Sequence, residues 1–202
     1  MPVAPRPARP TQWPFYLRAV VDIAFPAHTL RVMPTAGRPG RPGLTYPLHG
    51  GRTIHIVTAF NPEGRDATTR ANLRAHHALL HRIGVAGLPW WPAVGGDPSG
   101  AHAEPGAAVV GMDDAQARAM GRRFRQDAVF AWSPSSWRVL SCTDPEYDTT
   151  AAGWHAALLR PPAQPVTPLP AGSGPSRLRS DDCILHTKTQ SSEATWQTWT
   201  PR

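Results

Sequence analysis

Long apolar runs are missing from this sequence. A membrane-spanning helix needs about 18 consecutive apolar residues, and no such run occurs. The opening segment, MPVAPRPARP, also lacks the apolar stretch that a secretory signal carries. The sequence therefore predicts neither a membrane span nor a secreted protein.

Cysteine and lysine are scarce. The two cysteines, Cys142 and Cys183, suit a reducing cytosol, and we expect a cytoplasmic protein. A disulfide between them would join a predicted strand to the C-terminal tail; Cys142 fits better as a small buried apolar residue. Lys188 is the only lysine among the 21 basic residues. In a chain so rich in Ala, Gly and Pro, this arginine preference is typical of a GC-rich genome as much as of phosphate binding.

Proline and glycine are abundant, with 24 and 17 residues, which predicts long segments outside regular structure. Residues 1–12 read as a disordered basic leader, and residues 13–150 as a single domain. Residues 151–202 read as a Pro-rich linker and a poorly ordered tail, in which Trp196 and Trp199 could dock on a partner.

The net charge of +7 raises the question of nucleic-acid binding. The charge is +5 over residues 1–50 (six Arg, one Asp), zero over 51–150 (ten Arg, ten acids) and +2 over 151–202 (five basic residues, three acids). Because the predicted domain is neutral, nucleic acid is a weakly supported partner.

Apolar alternation and helical spacing place the regular elements. Strands are predicted at 14–25, 52–60, 88–96, 105–112, 127–132 and 137–142, helices at 66–83 and 113–126, and a loop at 34–43. This order predicts an α+β fold with a mainly antiparallel sheet and two helices packed on one face. The nearest simple template is a split β-α-β sandwich.

Capping signals mark the ends of both helices. Asp66 or Thr68 can cap the first helix, and Gly84 can end it. Asp113 and Gln116 have the spacing of a capping box at the start of the second.

The loop 58–65, in the stretch TIHIVTAFNPEGRD, joins the strongest predicted strand to the first helix. A helix start offers free N–H groups to an anion, and Arg65 would add charge. Thr58 and Asn61 could contact a ligand there. The alternative for Asn61 is an Asx-Pro turn that caps the local backbone.

Four further polar residues are candidates for the same site. Asn72 and His76 share one face of the first helix. His76 is either a hydrogen-bonded core histidine or a general base. Glu104 precedes an inner strand and could face a pocket or pair with an arginine. Gln126 closes the second helix and can bond its last carbonyls or point into the same pocket.

Signatures of established chemistry are absent. There is no G-x-S-x-G, no G-K-[ST] and no G-x-G-x-x-G, so we expect no cofactor and identify no catalytic residue. His77 and His81 are four apart, but the H-E-x-x-H glutamate is missing and His81 is expected to face solvent. We therefore predict no metal site.

Three segments, VTAFNPEGR, ANLRAHHALLHRIGVAGLPWWPAVGGDPSGAHAEPG and RRFRQDAVFAW, resemble in this order a bacterial family of unknown function numbered 3293. That family has a strand ending in T-A-x-N-P, a helix opening near an Asn, a W/E-P-S segment and a helix ending in F-x-Q before A-V-[FY]. The resemblance covers about residues 52–142. It implies a small cytosolic bacterial α+β domain and no particular reaction.

The family pattern matches a set of polar positions here: Thr58, Asn61, Asn72, Glu104 and Gln126. One position departs from it, since the serine expected after Glu-Pro is Gly106. Any role that the resemblance implies for a hydroxyl at that position is therefore lost.

Three hypotheses follow. The polar residues could converge on a cleft that binds a small polar or anionic ligand, with or without a reaction. The basic leader and aromatic tail could instead bind nucleic acid or a protein. Finally, the polar residues could be purely structural, with Asn61 and Gln126 bonding mainly to backbone.

Overall fold

The strand predicted at 52–60 is confirmed in the computed structural model of the chain, where it spans Ile54–Thr58. The structure describes residues 12–36, 46–47 and 51–159. The predicted leader up to residue 11, most of the 34–43 loop, Cys183 and the tail from residue 160 lie outside these residues.

The described chain contains nine strands and three α-helices. The helices are α1 (Trp13–Tyr16), α2 (Thr69–Val85) and α3 (Asp114–Arg123). The strands are β1 (Val20–Phe25), β2 (His28–Thr35), β3 (Ile54–Thr58), β4 (Trp90–Gly96), β5 (Ala103–Val110), β6 (Ala128–Ser133), β7 (Ser136–Ser141), β8 (Thr149–Thr150) and β9 (Gly153–Leu159).

These strands form one sheet in the order β8-β7-β6-β3-β5-β4-β1-β2-β9. Every described ladder is antiparallel. Because β3 and β4 both pair antiparallel with β5, they run parallel to each other on either side of it. The connection β3-α2-β4 thus has the strand order of a split β-α-β unit. The predicted α+β class with a mainly antiparallel sheet is therefore confirmed.

The structure differs from the predicted elements in several places, including the end of the second helix, which lies at Arg123 and not at 126. Residues 14–25 were predicted as one strand, but Trp13–Tyr16 is a helical turn and only Val20–Phe25 is a strand. The strand His28–Thr35 was missed; it forms a ladder with β1 on one side and β9 on the other. Its last two residues, Pro34 and Thr35, were predicted to begin the loop 34–43, but they pair with β9. The predicted domain end at 150 is too early, because Gly153–Leu159 completes the sheet.

The helix starts follow the capping signals. Thr68 caps α2 by accepting a hydrogen bond from the Ala71 N–H at 3.3 Å. Asp113 and Gln116 form the predicted capping box of α3. The helix predicted to end at residue 83 continues for two more residues, to Val85, and the Ala86 N–H still bonds a helix carbonyl. No helix among the described residues is long and apolar enough to span a membrane.

Two apolar clusters lie on the sheet. One gathers Val21, Ile23, Leu30, Val32, Ile54, Ile56, Ala93, Ala108, Val110, Trp132, Trp137, Trp154 and Ala156. The other includes Val57, Val109, Val129 and Leu140 of the sheet together with Leu79 and Ile83 of α2 and Ala117 of α3. Cys142 is fully buried in this second cluster, as predicted, and burial raises the pKa of its thiol to about 12.

A buried histidine links the sheet to the start of α3. His55 is 1% exposed, and its Nε2 lies 2.9 Å from Asp114 Oδ1. Arg138 also binds the Asp114 carboxylate. Burial lowers the pKa of His55. The carboxylates of Asp114 and Asp113 act in the opposite direction and offset part of this shift. The folded state therefore favours neutral imidazole.

This histidine should make the protein sensitive to mild acid. Below about pH 6.5, the ordinary imidazole pKa, His55 becomes protonated in the unfolded chain, whereas in the folded chain it stays neutral to a lower pH. The free energy of unfolding should therefore fall as the pH drops from 6.5 to 5. In His55→Gln, urea unfolding should show a shallower fall over the same interval. An equal fall in both proteins would contradict this assignment. His76, whose pKa is also lowered by burial, is present in both and cancels in the comparison.

Candidate functional site

A cavity of about 650 Å³ lies over the end of β3, with its walls contributed by α1, the four central strands and the loop after β4. It opens on the sheet face that carries Ile56 and Phe130. Ile56 belongs to the first apolar cluster, and Phe130 packs against it. Four of the predicted site residues line it: Thr58, Asn61, Glu104 and Gln126.

Thr58 closes the end of β3. Its hydroxyl donates to the Pro105 carbonyl at 2.8 Å and accepts from the Phe60 N–H at 3.0 Å. The side chain thus joins β3 to β5 and begins the turn into the following loop. At this point the chain leaves the sheet, which brings Asn61 to the cavity wall.

Asn61 has a left-handed backbone conformation, with φ 46° and ψ 60°, which Asn tolerates better than most residues. Its Oδ1 accepts from the Ala67 N–H at 3.1 Å and from Asn72 Nδ2 at 2.9 Å. Its Nδ2 donates to Glu104 Oε1 at 2.8 Å. These partners differ from the short-range contacts of an Asx-Pro turn, so Asn61 connects the loop to two distant elements.

Asn72 lies behind the cavity wall and does not line it. It is 6% exposed, and its Oδ1 accepts from the Asn61 N–H at 2.9 Å. Its Nδ2 donates to Asn61 Oδ1 and, at 3.4 Å, to the Ala67 carbonyl. Asn72 therefore holds the loop in place from behind the cavity wall, and Asn61 is thereby positioned to bind Glu104.

Glu104 is the partly buried carboxylate of the cavity. Its Oε1 accepts from Asn61 Nδ2 and lies 3.1 Å from His102 Nε2. Burial raises the pKa of Glu104, while Asn61 and His102 act in the opposite direction by stabilising the carboxylate. A carboxylate in this environment can bind a donor or accept a proton.

Gln126 lies at the cavity with its amide nitrogen turned into the protein. Nε2 donates to the Phe60 carbonyl at 2.8 Å and to the Phe124 carbonyl at 3.3 Å. Because both partners are acceptors, the nitrogen must be the atom that faces them. The amide oxygen is thereby left without a hydrogen bond from the described residues.

Unusual backbone conformations concentrate beside the cavity. Among the described residues, the non-glycine positions with positive φ are Asn61, Glu63 and Arg125. Glu63 and Arg125 bond to each other, through the Glu63 N–H to the Arg125 carbonyl at 2.7 Å and through Arg125 Nε to the Glu63 carboxylate at 2.9 Å. Such conformations cost energy and often occur near functional sites.

Arg65 and His76, the two remaining predicted site residues, do not line the cavity. The Arg65 side chain is 81% exposed and lies 3.6 Å from the Glu63 carboxylate. His76 is buried, and its ring lies nearly perpendicular to the Phe60 ring, with 5.9 Å between the centroids. The anion site expected at the start of α2 stays a prediction, and the burial of His76 agrees with the core-histidine alternative.

Several cavity residues were missed. They come from α1 and its flanks: Gln12, Phe15, Tyr16 and Arg18. The sequence predicted a strand for the last three and placed Gln12 in the leader. Gln12 Nε2 donates to the Gly64 carbonyl at 2.7 Å, and Trp13 Nε1 to Thr149 Oγ1 at 3.2 Å. These contacts join residues far apart in sequence, so no local pattern could have announced them.

His102 was also missed. It is carried by a loop that Asp97 organises: Asp97 accepts from the Ser99 N–H at 2.7 Å and from the His102 N–H. The Asp-Pro-Ser-Gly run was a readable turn signal. That the turn returns His102 to Glu104 depends on the pairing of β4 with β5.

Residues 57–129 match the model of a family described as "Protein of unknown function (DUF3293)". The resemblance inferred from the sequence motifs is thereby confirmed. The match runs from the end of β3 to the start of β6, and it includes Asn61, Asn72, Glu104 and Gln126. It excludes α1, which forms one wall of the cavity. No curated protein and no solved structure matches the chain significantly.

Proposed function

We propose that this protein binds a small polar ligand in the cavity at the end of β3. The observation that carries the proposal is the convergence of Thr58, Asn61, Glu104 and Gln126 on one cavity from separate elements. Ligand sites are typically concave and mostly apolar, with a few convergent polar groups.

The cavity walls fit this description. Phe15, Ile56 and Phe130 supply apolar surface around the polar groups. Phe15 is 63% exposed although it is large and apolar. Covering such a side chain with an apolar part of a ligand would remove it from water, which favours binding.

The polar residues divide into two roles. The structural hypothesis expected Asn61 and Gln126 to bond mainly to backbone. The amide nitrogen of Gln126 bonds to two backbone carbonyls, whereas Asn61 bonds to the side chains of Asn72 and Glu104 as well as to the Ala67 N–H. Asn72 in turn bonds to the backbone of Asn61 and Ala67. These contacts favour a supporting role, in which they hold the cavity wall in place. Glu104 and the oxygen of Gln126 are the groups that we assign to the ligand.

Three further proposals concern the origin, the location and the architecture of the protein. We propose a bacterial, cytoplasmic protein, from the family resemblance and the scarcity of cysteine. We also propose that α2 and α3 form a single layer on one sheet face, since their buried residues share one apolar cluster. Nucleic-acid or protein binding through the leader and tail stays a prediction, because those segments lie outside the described residues.

A fragment screen by protein-observed NMR on the full chain tests ligand binding. Hits should shift the backbone amides of Asn61, Gly95, Glu104 and Gln126. Ala128→Leu, which adds bulk to the cavity wall, should weaken those hits by about tenfold or more, whereas exposed Arg123→Gln should leave them unchanged. Hits that shift only distant amides, or hits insensitive to Ala128→Leu, would rule out the cavity as the site.

A further inference from the structure

The two carboxylate oxygens of Glu104 differ in their partners. Oε1 accepts a hydrogen bond from Asn61 Nδ2 at 2.8 Å and lies 3.1 Å from His102 Nε2. Oε2 accepts no hydrogen bond from the described residues, and the Glu104 side chain is 18% exposed. Oε2 itself is not fully buried, so it is open to a donor that enters the cavity, and such a donor would stabilise the partly buried carboxylate.

Gln126 adds a second acceptor to the same cavity. Both of its amide N–H groups are directed at backbone carbonyls, so the group left for a ligand is the oxygen. The cavity thus offers one charged and one neutral acceptor. A primary ammonium group carries three donors and a positive charge, and it complements both.

The other charged groups of the cavity do not compete for this role. Both Asp97 oxygens accept hydrogen bonds from its own loop, at Ser99 and His102. Arg18, the cationic member of the lining, lies over the Phe15 ring, 5.7 Å from its centroid. Asp127, just behind the wall, accepts from the Tyr16 hydroxyl at 3.4 Å.

We infer that the ligand is a small primary amine with an apolar body, held by Glu104 Oε2 and the Gln126 oxygen. This inference rests on the proposed function. It narrows the polar ligand to a cation, whereas the sequence led us to expect a polar or anionic ligand. The apolar body would lie against Phe15, Ile56 and Phe130, and a volume of about 650 Å³ accommodates an aryl-alkyl group.

Three matched probes test the inference: 2-phenylethylamine, 2-phenylethanol and 3-phenylpropionate, titrated into the full chain at pH 7.5 and followed at the cavity amides. The amine should bind about tenfold more tightly than the alcohol, because a charge-assisted hydrogen bond replaces a neutral one. The carboxylate should bind most weakly. Equal affinities, or a preference for the carboxylate, would overturn the amine assignment while the proposed function stands. No response to any probe would count against both.

A pair of variants isolates Glu104. Glu104→Gln keeps the size and an acceptor but removes the charge, and it should reduce amine affinity about tenfold, to that of the alcohol, with alcohol affinity unchanged. Asp66→Asn removes an exposed negative charge near Glu104 that does not line the cavity. It should retain the amine preference. An amine preference that survives in Glu104→Gln would overturn the inference.

A fourth probe needs no variant. Trimethyl(2-phenylethyl)ammonium keeps the charge of the amine but has no N–H donor. It should bind about tenfold more weakly than the primary amine if hydrogen bonds to Glu104 and Gln126 hold the head group. Equal binding of the two ammonium ions would overturn that part of the inference. This comparison applies even if Glu104→Gln does not fold.

Discussion

Gly106→Ala should lower the free energy of unfolding by about 2–3 kcal/mol. Gly106 is buried in the central strand β5, paired with Thr58 on one side and Ala93 on the other. A Cβ added there would lie 2.7 Å from the Val57 carbonyl oxygen. Because that oxygen belongs to the backbone of β3, relief requires a shift of the strand that leads into the cavity loop. Urea denaturation at pH 7.5 measures the loss.

Gly84→Ala is the matched control for the same substitution. Gly84 lies near the end of α2, and an added Cβ there would meet nothing within 4 Å. This variant should gain about 0.5–1 kcal/mol, because alanine restricts the unfolded chain and favours the helix. If both variants lost a similar amount of unfolding free energy, the close approach of β3 to Gly106 would not be the cause of the destabilisation.

This position also explains a departure from the family pattern. The resemblance led us to expect serine after Glu-Pro, and we expected only that a hydroxyl role was lost. Here the space beside Gly106 is occupied by the Val57 backbone, so glycine serves packing between β3 and β5. Gly106→Ser should therefore destabilise the protein at least as much as Gly106→Ala, rather than restore a site.

Asn72→Ala should lower the free energy of unfolding by about 2–3 kcal/mol, because it removes a buried amide and leaves its partners unsatisfied. The Asn61 N–H, the Asn61 Oδ1 and the Ala67 carbonyl would each lose a hydrogen bond. Thermal or urea unfolding measures the effect. The cavity should also change, since Asn61 is the residue that binds Glu104 Oε1.

Two comparisons make the Asn72 prediction specific. Asn72→Asp retains an acceptor for the Asn61 N–H but cannot donate to Asn61 Oδ1, so it should also destabilise. Leu73→Ala, on the exposed side of the same helix at 46% exposure, should cost less than about 1 kcal/mol. Similar losses in Asn72→Ala and Leu73→Ala would show that the hydrogen bonds of Asn72 contribute little.

Helix starts and the central strands followed from local patterns. Thr68 and Asp113 cap their helices because a side-chain oxygen reaches an N–H only three residues away, which a short stretch of sequence determines. The hairpin of β6 and β7 was readable for the same reason. By contrast, β2 and β9 pair with each other across more than a hundred residues, and no local signal predicts such a partner.

For the candidate site, the sequence by itself determined that Thr58, Asn61, Glu104 and Gln126 are polar groups at the ends of elements. Only the tertiary structure decided that they share a cavity, that Asn72 acts from behind it and that Arg65 turns away into solvent. The reason is physical. Capping and alternation depend on neighbours along the chain, whereas a cavity depends on which strand lies beside which. Here the pairing of β3 with β5 brings Glu104 to Asn61.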